Sequence, residues 1–350
     1  MLSACGDRGA GSDDRGNANA AAGSDPIAPT SEGTLDARAI EAASDAIDAF
    51  LAASRTREAE LVARELRARA ESSALEPAEA ARIAEIAARA YFARAELGRL
   101  ELDPAARAAL IRESAALADE AATRAAPDAV RLRFAALLAD RVGDAARADT
   151  RYDEALAAAR GNQAATLETL LHAASASIAR KDLARARRLL DERRSSSDQD
   201  GWTDALDAEC ALAEANPTDA VTKARAAVAR DRERVEFRLV LARALRANGS
   251  PSDAARMLGA LDRRERQKPA IAEQFALSLR ESGDTRAAAA AWDECLRANP
   301  ADPFVRAETA LAFHRAGDTA RAASELAALD ATPGGPAERA RVERELAKRP

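Results

Sequence analysis

The sequence predicts an all-α protein, built as a solenoid of stacked antiparallel helix hairpins, on three observations. Gly249, Gly283 and Gly317 recur at intervals of 34 residues, each followed five residues later by Ala254, Ala288 and Ala322. A strict period of that length marks a repeated supersecondary unit rather than one globular core. The chain has 350 residues, beyond the size at which a single core keeps growing, so it either divides into domains or extends as an array. Only 3% of the residues are aromatic while alanine is abundant, which suits closely approaching helices and disfavours a β-sandwich or barrel.

The unit is clearest around Gly283. Phe275 and Ala276 lie on one apolar face, Ser282-Gly283-Asp284 makes a turn, Ala288 and Trp292 follow, and Asn299-Pro300 closes the unit. This resembles the tetratricopeptide repeat family, whose unit is a helix A, a tight turn and a helix B. The resemblance implies a right-handed superhelix with a concave groove lined by the A helices.

At the N-terminus, Leu2-Ser3-Ala4-Cys5-Gly6 resembles the bacterial lipobox, which implies that Cys5 is acylated and begins the mature chain. Residues 1–33 otherwise have the Gly, Ala, Asn, Asp and Ser composition of a flexible tether. The basic and apolar leader that a secretory signal needs is expected upstream of Met1. Gly6 after the cysteine implies outer-membrane placement on the periplasmic face. A cytosolic chain with a free thiol on its tail is the alternative.

Residues 34–128 carry helical periodicity outside the repeat register. Ile40, Ile47, Phe50 and Leu51 share one stripe, and Leu61, Val62 and Leu66 share the next, predicting a hairpin of 35–53 with 56–72. Pro77 and Pro104 each stand at a helix first turn, the first helix running to Leu97-Gly98 and the second ending before Pro127.

Residues 129–336 form six units in the 34-position frame, beginning at Ala129, Leu167, Gly201, Val235, Pro269 and Pro303, with Gln163 to Thr166 as an insertion after the first. At the eighth position stand Ala136, Ala174, Ala208, Ala242, Ala276 and Ala310. At the twentieth stand Ala148, Ala186, Ala220, Ala254, Ala288 and Ala322. These are the places where helix A and helix B cross, and a larger side chain there would push the axes apart. Tyr152, Leu190, Leu258, Trp292 and Leu326 fill the space behind the crossing, with Ala224 the exception. The turns read Gly143-Asp144, Gly249-Ser250, Gly283-Asp284 and Gly317-Asp318, with Lys181-Asp182 and Asn216-Pro217 in their place in two units. The family's early aromatic positions are largely absent. Residues 337–350 read as an amphipathic capping helix with Val342 and Leu346 inward.

Catalytic, metal and cofactor sites are not expected. His172 and His314 are the only histidines, and no phosphate loop, nucleophile elbow or Cys-x-x-Cys pair is present. Cys295 stands where packing is expected, and Cys210, two and a half repeats away, is out of disulfide reach. A net charge of −6 with both signs interspersed argues against nucleic acid as a partner, and no apolar run is long enough to span a bilayer.

The family's groove positions are the second, fifth, ninth, twelfth and thirteenth of helix A. The twelfth reads Asp140, Ile178, Leu212, Arg246, Arg280 and His314, and its last three members, with Arg243 and Arg315, make a basic ladder interleaved by Glu236, Glu273 and Glu281. Two readings stay open: a clamp for an acidic or carboxylate-terminated segment, or a solvated face paired with neighbouring glutamates. The Asn and Lys of the family's carboxylate clamp are absent at matching places. The resemblance implies a non-catalytic scaffold that binds a protein or peptide segment. It is expected to be an envelope lipoprotein of the pilotin, outer-membrane assembly or peptidoglycan-enzyme adaptor type. The alternative is a cytosolic regulatory or sensor subunit.

Overall fold

The computed structural model describes residues 35–98, 101–196 and 200–347; Cys5 and the tether lie outside them. Among the described residues there are eighteen helices and no strand. The N-terminal part contains α1 (Ala37–Ala52), α2 (Thr56–Glu71), α3 (Pro77–Leu97) and α4 (Pro104–Arg124). The repeats follow as α5 (Ala129–Arg141) with α6 (Ala145–Ala158), α7 (Gln163–Ala179) with α8 (Leu183–Ser196), α9 (Gly201–Ala213) with α10 (Pro217–Arg230), and α11 (Val235–Ala247) with α12 (Pro251–Gly259). A four-residue α13 (Arg263–Arg266) precedes α14 (Pro269–Glu281) with α15 (Thr285–Ala298), α16 (Pro303–Arg315) with α17 (Thr319–Leu329), and α18 (Gly335–Ala347).

The helices start where the side chains supply what an open helix end lacks. The Asp36, Asp103 and Asp128 carboxylates accept from backbone N–H groups of the following turn at 2.8–2.9 Å. Pro77, Pro104, Pro269 and Pro303 stand at first-turn positions, where a missing N–H costs nothing. All twelve crossing alanines are at most 5% exposed. Behind them Tyr152, Leu190, Leu258 and Trp292 are buried, and Ala224 is buried among α9–α12 residues without a large side chain. Edge-to-face aromatic pairs join neighbouring units: Phe92 with Phe134 at 5.9 Å between centroids, Trp202 with Phe237 at 5.1 Å and Trp292 with Phe304 at 6.1 Å.

Each of the six A-to-B turns has one geometry. Asp144, Asp182, Asn216, Ser250, Asp284 and Asp318 donate a backbone N–H to the carbonyl five residues earlier at 2.8–2.9 Å, and the residue before each has positive φ. This is the Schellman closure of a helix C-terminus. Four units use glycine there, whereas Lys181 (φ 66°) and Ala215 (φ 57°) adopt the left-handed conformation despite carrying a Cβ. The third-unit turn is therefore Ala215-Asn216, with Asn216 as the cap of α10, and not Asn216-Pro217.

Three further details differ from the sequence expectation. Gln163 to Thr166 are not an insertion between units but the first turn of α7, because the Asn162 side chain accepts from Ala165 N and starts the helix there. Helix B of the fourth unit is cut short at Gly259, since Asp262 caps a new turn by accepting from Glu265 N at 2.8 Å. In the last unit Leu326 is half-buried while Leu329 is completely buried against Ala307, Leu311 and Val342. There α18 closes the array, and it comes so close that a Cβ on Gly335 would lie 1.8 Å from the Leu329 carbonyl oxygen.

Consecutive helices pack pairwise, and the A helices also pack on the next A helix, α5 on α7, α7 on α9, α9 on α11 and α11 on α14. Outer helices α6, α8, α10 and α12 make no comparably close pairs with one another. Contacts on one side only give a curved stack with the A helices inside.

A left-handed residue with a Cβ costs about 1–2 kcal/mol, of which glycine's greater unfolded-state freedom returns part. Ala215→Gly is expected to raise the urea midpoint of the chain by the equivalent of about 0.5–1 kcal/mol. An unchanged or lower midpoint would show that Ala215 is not strained.

Candidate binding groove

The inner helices leave two neighbouring cavities. The larger, about 390 Å³, lies between α7, α9, α11 and α14, with Leu171, Trp202, Leu206, Leu239 and Ile271 on its walls and His172, Glu209, Glu236, Arg243, Lys268 and Glu273 around them. The smaller, about 250 Å³, lies between α14 and α16 beside α18, lined by Leu277, Arg280, Phe304, Glu308, Arg315 and Arg341. It opens there because α14 and α16 approach each other less closely than the other inner neighbours from α5 onward. Glu273 belongs to both linings.

The repeat frame explains the first set. Leu171, Leu239 and Glu273 are fifth positions, Trp202 and Glu236 second positions, and Glu209 and Arg243 ninth positions of successive A helices. The twelfth positions, which carried the ladder, fall mostly on seams between helices. Asp140 pairs with Arg180, Ile178 is buried, and Leu212 packs against the core of α9–α12. His314 is half-buried and lines neither cavity.

The basic ladder is largely neutralised by the protein itself. Arg243 pairs with Glu209, which is only 8% exposed. The Arg246 Nε donates to Glu281 at 2.8 Å and its Nη1 to Gln274 at 2.8 Å; Gln274 lines the larger cavity, whereas Arg246 lines neither. Arg315 faces Glu345 at 3.5 Å, and Arg341 donates to Glu308 at 2.8 Å. Glu325 pairs with Arg306. Among the described residues Arg280, Glu236 and Glu273 make no hydrogen bond or ion pair. Lys268 is held by Glu265 at 2.7 Å.

Burial sets the acid–base character of the groove. It pushes the Glu273 carboxyl above its ordinary value of 4.5, the negative Glu308 adds to this, and Arg246 and Arg243 oppose it. Burial, with Arg133 nearby, pushes His172 down, which favours the neutral imidazole, while Glu168 opposes. Both thiols, Cys210 and Cys295, are buried and unbridged, and burial pushes each up to about 11, so neither is a nucleophile at neutral pH. Among the described residues no group of three or more His, Cys, Asp and Glu is placed to hold a metal ion, and no helix is long and apolar enough to cross a membrane.

Sequence reasoning did not single out the apolar walls; of its charged candidates, Glu236, Glu273 and Arg243 line the larger cavity and Arg280 and Arg315 the smaller, while Arg246 and His314 line neither. The signal was present in the second, fifth and ninth positions, where Trp202, Phe304, Leu171, Leu239 and Leu277 stand among charged residues such as Glu236, Glu273, Glu209 and Arg243.

No protein-family model matches the sequence, and no curated protein matches it. Among solved structures the chain is similar to a tetratricopeptide repeat protein from Parabacteroides merdae ATCC 43184, at 11% identity and a TM-score of 0.55 over 79% of this chain and 99% of that one. It is also similar to yeast Tom70, at 13% identity and a TM-score of 0.56 over 89% of this chain and 60% of that one. The fold is thus an α-solenoid of the tetratricopeptide repeat kind.

Because folded Glu273 holds its proton more tightly than the unfolded chain, its ionised form subtracts from stability at neutral pH, and that loss is relieved as the pH falls through the raised value. Glu273→Gln is expected to raise the urea midpoint at pH 7 and to lose that advantage below the ordinary carboxylate value of 4.5. An effect of opposite sign would mean that Arg243 and Arg246 dominate over burial.

Proposed function

We propose that this chain is a non-catalytic scaffold that holds a segment of another protein on its inner face. The observation that carries the reading is the cavity of about 390 Å³ walled by four successive inner helices and lined by both apolar and charged side chains. That is the form in which a concave surface anchors a few side chains and orients the rest. The smaller cavity beside α18 extends the same surface toward the C-terminus. A photo-crosslinking amino acid at Leu239, inside the cavity, is expected to capture a polypeptide in the native cell that the same group at Arg256, on the outer helix α12, does not. Identical products from both positions would overturn the groove as the site of binding.

The lipobox-like Leu2-Ser3-Ala4-Cys5 supports a further reading, in which the scaffold is an envelope lipoprotein tethered to the periplasmic face of the outer membrane. Its partner would then belong to secretin piloting, outer-membrane assembly or peptidoglycan-enzyme control. Expressed from its full natural reading frame, the protein is expected to incorporate radiolabelled palmitate and to fractionate with membranes, and Cys5→Ser to abolish both. Absence of label from the unaltered protein would favour a cytosolic regulatory or sensor subunit instead.

A further inference from the structure

The larger cavity has its cations spent and two of its anions spare. Arg243 is engaged by Glu209 and Lys268 by Glu265, whereas Glu236 and Glu273 face the same space without a hydrogen bond or ion pair among the described residues. Arg246 is not on the lining and is engaged by Glu281 and by the lining residue Gln274. An acidic segment entering here would add negative charge to a lining that carries four carboxylates, Glu209, Glu236, Glu265 and Glu273, against two cations, Arg243 and Lys268, each already paired with one of them. A cation entering the same place would meet acceptors that have no hydrogen bond or ion pair of their own among the described residues and would offset the excess of carboxylates on the lining.

Resting on the groove reading above, we infer that this cavity selects a lysine or arginine side chain flanked by apolar residues in the bound protein segment, with Glu236 and Glu273 as its acceptors. The aliphatic stem of such a side chain packs on Leu239 and Trp202 while its charged head reaches a carboxylate of the same lining. This reverses the preference for an acidic ligand suggested by the arginine series, because Arg243, Arg246 and Arg315 are paired within the protein, Arg280 lines the other cavity, and these two glutamates are not paired among the described residues. His172, neutral through burial, supplies no competing positive charge at neutral pH.

The test is selection of a random dodecapeptide phage library on the immobilised full chain, followed by fluorescence anisotropy of the enriched peptides, with circular dichroism confirming that each variant is folded. The expected peptides carry Lys or Arg beside apolar residues, and replacing that residue by Gln weakens them about tenfold or more, the scale of a lost charge-assisted hydrogen bond. The double variant Glu236→Gln, Glu273→Gln loses the preference for the basic peptide over its Gln counterpart, while retaining affinity for the Gln counterpart. Leu239→Arg, which fills the cavity with a cation of its own, abolishes binding of both. Enriched peptides that need the cavity, being lost on Leu239→Arg, but are acidic or indifferent to charge would overturn the inference and leave the groove reading standing. Peptides that bind Leu239→Arg as well as the unaltered chain, or no enrichment at all, would overturn both.

Discussion

The constraint on which the rest depends is the distance at which two helices cross. In every unit the eighth and twentieth positions hold alanine, and in the folded chain these side chains are at most 5% exposed. A methyl group at both places lets helix A and helix B approach closely enough for a single large residue behind them to complete the contact, as Tyr152, Leu190, Leu258 and Trp292 do. Because each hairpin is held this way, the next one stacks on it in a nearly constant orientation, and the curvature that makes an inner face accumulates. The groove is thus a consequence of small residues at the helix crossings.

The turn geometry is the second constraint, and it is more tolerant of sequence. The same Schellman closure forms whether the left-handed residue is Gly283, Lys181 or Ala215. What the six turns share is the polar residue that follows, Asp, Asn or Ser, at the start of helix B. The packing of the two helices imposes the turn, and the preferred glycine relieves its strain without being required for it.

Charge is arranged by the same logic of proximity. An arginine on one A helix sits beside a glutamate on a neighbouring helix, so Arg243 with Glu209, Arg246 with Glu281 and Arg315 with Glu345 cancel across unit boundaries. The surface that remains for recognition is defined by the groups left over, Glu236 and Glu273 in one cavity and Arg280 in the next. Such a remainder is a difference between long lists of charges, and it changes when a helix shifts by one position.

That explains what was legible beforehand and what was not. The sequence by itself determined the helical class, the 34-residue unit and the starts of the inner helices at Ala129, Gly201, Val235, Pro269 and Pro303, because periodicity, proline and capping residues act within one or two turns of chain. The alanines it picked out at the eighth and twentieth positions are all buried. The extension of α7 back to Gln163, the break of helix B at Gly259 and the left-handed Ala215 were decided by local competition between caps that the repeat frame averages away. The composition of the groove was decided by tertiary structure alone. Which arginines are already paired depends on distances between residues some 30 positions apart on adjoining helices, as for Arg243 with Glu209, and no pattern along one helix records which partner its neighbour will present.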